Sequence, residues 1–289
     1  MASMRDIKRR RSSIASTQQI TNAMKLVSTV KLQKTKARAE RSKPYFDKMY
    51  ATVTSMLAKS GTIDHPYLKP QPSEKKAVIV LTSNRGLAGG YNANVTKLIT
   101  GSDLKSSDLL LYTVGNKGKE YFQHRGYHVE KDYSEVIEHP MFSDAREICE
   151  EVLGKYASGE IVEIYLAYTY FKNTVVHEPK LLKLLPVEVD EADLKAADSG
   201  SLMNYEPEEE EALEIIIPKY ITSILFGALV EAVASENGAR MQAMDSATSN
   251  AQEMIDKLTL QYNRARQGSI TQELTEIIAG ANADRKSVV

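Results

Sequence analysis

The sequence contains a single cysteine, Cys149, and no tryptophan among its 289 residues. One thiol excludes an intramolecular disulfide framework and any cysteine-based zinc site. It fits a reducing compartment. The chain ends lack helix breakers: all nine prolines lie between Pro44 and Pro218, and no glycine precedes Gly61. Beyond Lys219 the only glycines are Gly227, Gly238, Gly268 and Gly280. No uninterrupted apolar run reaches the roughly 18 residues of a membrane-spanning helix. The most apolar stretch, 220–234, is broken by Thr222, Ser223, Gly227 and Glu231. The N-terminus, MASMRDIKRRRSS, has no apolar core, which argues against a secretory signal. With 42% hydrophobic residues, the chain has enough apolar side chains to fold, which argues against wholesale disorder.

The charge is unevenly placed. Residues 1–43 hold twelve Lys and Arg against only Asp6 and Glu40; that segment is +10 and the other 246 residues −11, giving the net −1. A basic end on a neutral chain fits an acidic partner or a solvated helix face. Both breaker-poor arms read as helices. In the first, Ile7, Ile14, Ile20, Met24, Val27 and Val30 fall largely on one stripe. Pro44 predicts a bend at most, because helical sequence resumes as far as Gly61. Such a helix is about 85 Å long at about 1.5 Å per residue, so part of it should project from a compact domain. In the second arm, Met244, Ala247, Ala251, Met254, Leu258, Tyr262 and Ala265 recur every three or four residues, a coiled-coil-like seam. Asn237-Gly238 reads as a weak point within it, at about 1 kcal/mol relative to Ala. The simplest expectation is that the arms pair antiparallel.

The middle reads as a small α/β domain. Strands are expected at Ala77–Thr82, Leu109–Val114, 160–171 and 174–189, with Pro179 marking an edge. Helices are expected at Asn92–Ile99, 117–126 and Asp144–Ala157. Alternating strands and helices predict a three-layer, Rossmann-like parallel sheet closing on a hairpin. An acidic connector, 190–211, should lead into the last helix. The boundaries that follow are 1–60, 75–190 and 207–285.

Chemical motifs are scarce. SNRGLAGGYN follows the first strand, but Gly86, Gly89 and Gly90 match neither the dinucleotide nor the P-loop spacing. They fit a tight turn better than a phosphate cradle. His65, His124, His128, His139 and His177 show no metal-ligand spacing, and no G-x-S-x-G elbow occurs. Cys149 sits on the apolar side of a predicted helix and reads as core. No aromatic precedes Tyr45, so the basic arm offers no base-stacking platform for nucleic acid. These residues single out no catalytic, cofactor or metal site. Three readings stay open: a mechanical coupling protein, a nucleotide-binding α/β enzyme, and a basic coiled-coil adaptor.

Three segments carry a resemblance: MASMRDIKRRRSSIASTQQITNAMKLVSTVKLQ, LTSNRGLAGGYNANV, and the C-terminal stretch from SENGARMQAMDSATSNAQ through YNRARQGSITQELTEIIAGANA. Over its full length the chain resembles the gamma subunit of F-type ATP synthases. The resemblance implies a non-catalytic rotor, without cofactor, in the proton-translocating complex. Paired terminal helices would form a shaft inside a hexamer of alpha and beta subunits. An α/β foot would rest, with the epsilon subunit, on the membrane c-ring, at the cytoplasmic face of a bacterial membrane. By the same resemblance Met24, Lys25 and Arg240 match shaft positions near an acidic segment of beta. Arg266 and Gln267 match a pair bonded to a beta catch loop, with Thr271 and Glu273 close by. Ile270, Leu274, Ile277 and Ile278 match an apolar bearing.

Overall fold

The computed structural model describes residues 3–59, 66–69, 71–187 and 209–287. Most of the expected acidic connector, His65, Val288 and Val289 lie outside them. Two helices dominate, α1 (Met4–Lys59) and, at the other end, α5 (Glu209–Ser287). Between them come β1 (Lys76–Leu81), α2 (Tyr91–Thr100), β2 (Leu109–Val114), α3 (Asn116–Gln123), β3 (Val129–Asp132), α4 (Phe142–Ala157), β4 (Glu163–Phe171) and β5 (His177–Leu185). The helices run through Pro44 and Pro218. The chain divides into two compact units, Met1–Val27 with Met241–Val289, and Ser28–Arg240.

The larger unit is built on a five-stranded sheet in the order β3-β2-β1-β4-β5, parallel except for the β4–β5 hairpin. Four strands were legible in the sequence. The fifth, β3, was missed because VEKD is short and carries three charged residues. Charge and brevity suit an edge strand, since they discourage pairing with another chain. Strand alternation sorts the core into two layers. Ala77, Ile79 and Leu81 of β1 face α4 and α5, where Ile148, Val152, Leu213, Ile217, Leu225 and Leu229 are buried. Val78 and Val80 face Val95 and Ile99 of α2 and Phe122 of α3. Cys149 lies in the first layer, and burial pushes its thiol up to about 12, so it is inert at neutral pH. Part of α5 has the length and composition of a membrane-spanning helix, although no uninterrupted apolar run occurs. Its stripe at Leu213, Ile217, Ile221 and Leu225 is spent on this core, as in a buried core helix.

Within this unit α1 and α5 run antiparallel. Tyr50 lies against Tyr220, and Phe46 against Phe226, whose ring also carries the Arg38 guanidinium. Gly227 permits that approach, because a Cβ there would stand 3.1 Å from the Phe46 ring.

The smaller unit is a helix pair of the same sense. Arg11 stacks over Tyr262, Gln18 donates to Gln252, Thr21 meets Thr248, and Lys25 pairs with Asp245 at 2.6 Å. Met244 and Ala251 are buried, and Ala247, Leu258, Tyr262 and Ala265 are half-buried. Met254, expected in this seam, is more than half exposed, and Ile255 is half-buried instead. The N-terminal stripe departs further. Ile20, Val27 and Val30 are each more than half exposed, and Ile14 and Met24 are half-buried. Ile7 is buried, and Thr21 and Lys25, no more buried than Ile14 and Met24, are the ones that meet α5, at Thr248 and Asp245. A three-four spacing finds an apolar stripe, but it does not say what covers it.

Candidate interaction surface on the terminal helices

Met24 and Lys25 lie one turn from the Thr21–Thr248 contact, on the flank of the helix pair. Lys25 is tied to Asp245, so its charge is partly committed to its own chain. Arg266, Gln267 and Glu273 are exposed, and the Thr271 hydroxyl donates to the Gln267 carbonyl. These four side chains share a short exposed length of α5. Ile270, Leu274, Ile277 and Ile278 follow, between 45% and 67% exposed. Four large aliphatics thus lie open to water within nine residues of one helix.

Arg240 is different. Its side chain and that of Glu236 are each only 13% exposed, and they form an ion pair at 2.7 Å across one helical turn. The guanidinium also donates to the Arg85 and Gly86 carbonyls, at 3.3 and 3.4 Å. Burial raises the Glu236 carboxyl above its usual range, while Arg240 and Lys31 pull it back. Tyr91, buried and bonded to the Ala232 carbonyl, is held well above its usual phenol value by that burial and by Glu236. The resemblance matches Arg240 to a position near beta; within this chain its guanidinium is held by Glu236 and the glycine loop.

The glycine loop is closed by its own polar groups. The Ser83 amide donates to Asn92, the Ser83 hydroxyl to the Arg85 carbonyl, and Asn84 bridges the Ser134 carbonyl and the Asn116 amide. Towards Arg240 it presents carbonyls, the wrong polarity for a phosphate cradle. The basic arm is likewise partly neutralised by its own chain, through Arg9–Asp6, Lys25–Asp245 and Lys36–Glu40. Neither the nucleotide-enzyme nor the nucleic-acid reading gains from the structure.

The sequence model of the family described as ATP synthase matches residues 3–283. An ATP synthase gamma chain of Lachnoclostridium phytofermentans is 64% identical, over 98% of this chain and 99% of its own. The chain belongs to the ATP synthase gamma family. A gamma chain of Acetobacterium woodii described as sodium ion specific is 42% identical, over 97% of this chain and 98% of its own. Among solved structures, a chain of the Tetrahymena thermophila mitochondrial ATP synthase central stalk and c-ring is 25% identical with a TM-score of 0.59, covering 79% of this chain and 99% of that one. A chain of the Euglena gracilis mitochondrial ATP synthase shares the fold, with a TM-score of 0.69 at 17% identity, over 97% and 94%. The gamma chain is a non-catalytic subunit of a membrane-associated enzyme, which accounts for a sequence with no recognisable active site.

Proposed function

We propose that this chain is the rotor of an ATP synthase, one copy turning inside a hexamer of alpha and beta subunits and carrying torque between that hexamer and a membrane c-ring. Residues 1–60 and 207–285 serve as shaft helices and 75–190 as the foot, which meets the epsilon subunit and the ring at the cytoplasmic face of a bacterial membrane. The observation that carries this reading is the antiparallel pairing of the terminal helices combined with apolar residues left facing outward on both. A shaft must be stiff, and two packed helices resist twisting better than one. It must also press on neighbours, and Ile20, Val27 and Val30 on α1 with Ile270, Leu274, Ile277 and Ile278 on α5 are available to do so. Lys25, Arg266, Gln267, Thr271 and Glu273 make the polar contacts with beta, Met24 an apolar one beside Lys25, and Arg240 serves the same contact indirectly.

Gentle affinity purification from the source cell tests this. The expected result is alpha and beta in threefold excess over this chain, with ATP hydrolysis by the complex and none by the purified chain. Recovery as a symmetric homo-oligomer, or hydrolysis by the chain alone at the rate of the complex, refutes it.

A further inference from the structure

We infer that Arg240 is a positioning residue, holding the loop Arg85–Gly90 in the shape in which it displays Leu87. Leu87 is an exposed aliphatic side chain at a left-handed backbone position, φ 64°, and it is 64% exposed. That combination is unfavourable twice over, once for the backbone and once for the apolar side chain in water. A loop with these two features keeps its shape only if its surroundings fix it. The Arg240 guanidinium provides one such tie, by donating to the two carbonyls that immediately precede Leu87. Glu236 orients the guanidinium from one turn earlier on α5. The loop is closed on its far side by Ser83 and Asn92. Its tip is thereby bound to a helix proposed above as part of the shaft, so the functional half of the inference rests on the rotor reading. On that reading, Leu87 is a fixed projection of the rotor, and slack at Arg240 becomes slack in what it pushes.

The test compares Arg240→Lys and Arg240→Gln in the full complex. Lysine keeps a charge for Glu236 but lacks the planar fork that reaches two carbonyls as well. Hydrogen exchange reads the loop at the Ser83 and Tyr91 amides, which close it. The second readout is ions pumped per ATP hydrolysed in membrane vesicles, which a simple loss of stability does not change. The expected result is exchange faster by about tenfold in both variants, with fewer ions pumped per ATP. Unchanged exchange overturns the clamp. Faster exchange with an unchanged pumping ratio overturns the positioning role. Full recovery of both readouts by lysine also overturns it, because the charge alone would then suffice. Exchange can be read on the isolated full chain too, so failure of the clamp and failure of the rotor reading are separable.

Discussion

Gly115 has no motif around it, and nothing in its neighbours marks it as indispensable. Its backbone lies at φ +118°, and a Cβ there would stand 2.2 Å from the Thr82 carbonyl oxygen. Thr82 in turn donates to the Gly115 carbonyl and accepts from the Gly118 amide, which locks the ends of β1 and β2 together. Gly115→Ala combines left-handed strain with overlap against backbone that cannot move aside. It should destabilise the chain by about 3 kcal/mol or more, read by denaturant unfolding. Gly238 is the converse case, because the sequence did flag it, but as a weak point. The structure gives its reason: a Cβ would stand 2.6 Å from the His177 ring. Burial holds that imidazole below its ordinary value. A histidine with a lowered folded value binds fewer protons folded than unfolded, so its share of stability is full above about 6.5 and is lost as pH falls below it. His177→Gln should flatten the stability profile between pH 6.5 and 5, measured by thermal melts. An unchanged slope there would show that His177 does not titrate with folding.

At the scale of elements, the helices and four strands were legible because period and breakers both pointed the same way. Leu109–Val114 is a strand bounded by polar turns, and it was found at those residues. What was not legible was the facing of α1. Ile20, Val27 and Val30 look like core by spacing, yet they are exposed, and Thr21 and Lys25 beside them make the contacts with α5. A helix that serves two neighbours has two faces to satisfy, and hydrophobicity alone cannot assign each face to its neighbour. The bonds of Arg240 were not legible either, since a cation in sequence gives no sign of whether carbonyls of its own chain lie within its reach. The C-terminal arm was read better because its small residues mark close approach, which only a facing helix requires. Ala251 is 5% exposed in that seam. Ala251→Leu should therefore cost about 1–3 kcal/mol by overpacking, although leucine is a good helix former. Loss of helicity at lower denaturant is the expected signature. The Lys25–Asp245 pair is half in water, so Asp245→Asn should cost no more than about 1 kcal/mol.

At the scale of the whole molecule, stability and function should separate, because the surfaces proposed to press on partners contribute little to this chain's own fold. Met24→Lys places another cation beside Lys25 on the flank of the helix pair, so the coupling of ATP turnover to pumping should weaken. Ions pumped per ATP in vesicles reads that effect directly. Arg266 is exposed, so its removal should leave the isolated chain unaltered. In the assembled complex, Arg266→Ala should cost about 1.5–3 kcal/mol for a lost charged hydrogen bond. The apolar end of α5 gives the sharpest contrast. Ile277 is 67% exposed, so it adds little to folding. Buried against a partner, a side chain of its size contributes about 1.5–3 kcal/mol. Ile277→Asp should then leave the melting temperature of the purified chain within the small scatter of surface substitutions, about 0.5 kcal/mol. The same substitution should make the complex release this chain at lower denaturant in native mass spectrometry, since an aspartate must lose its hydration to enter an apolar bearing. Equal loss in both measurements would mean that Ile277 supports the fold itself; loss in neither would mean that this end of α5 stays in water when the complex assembles.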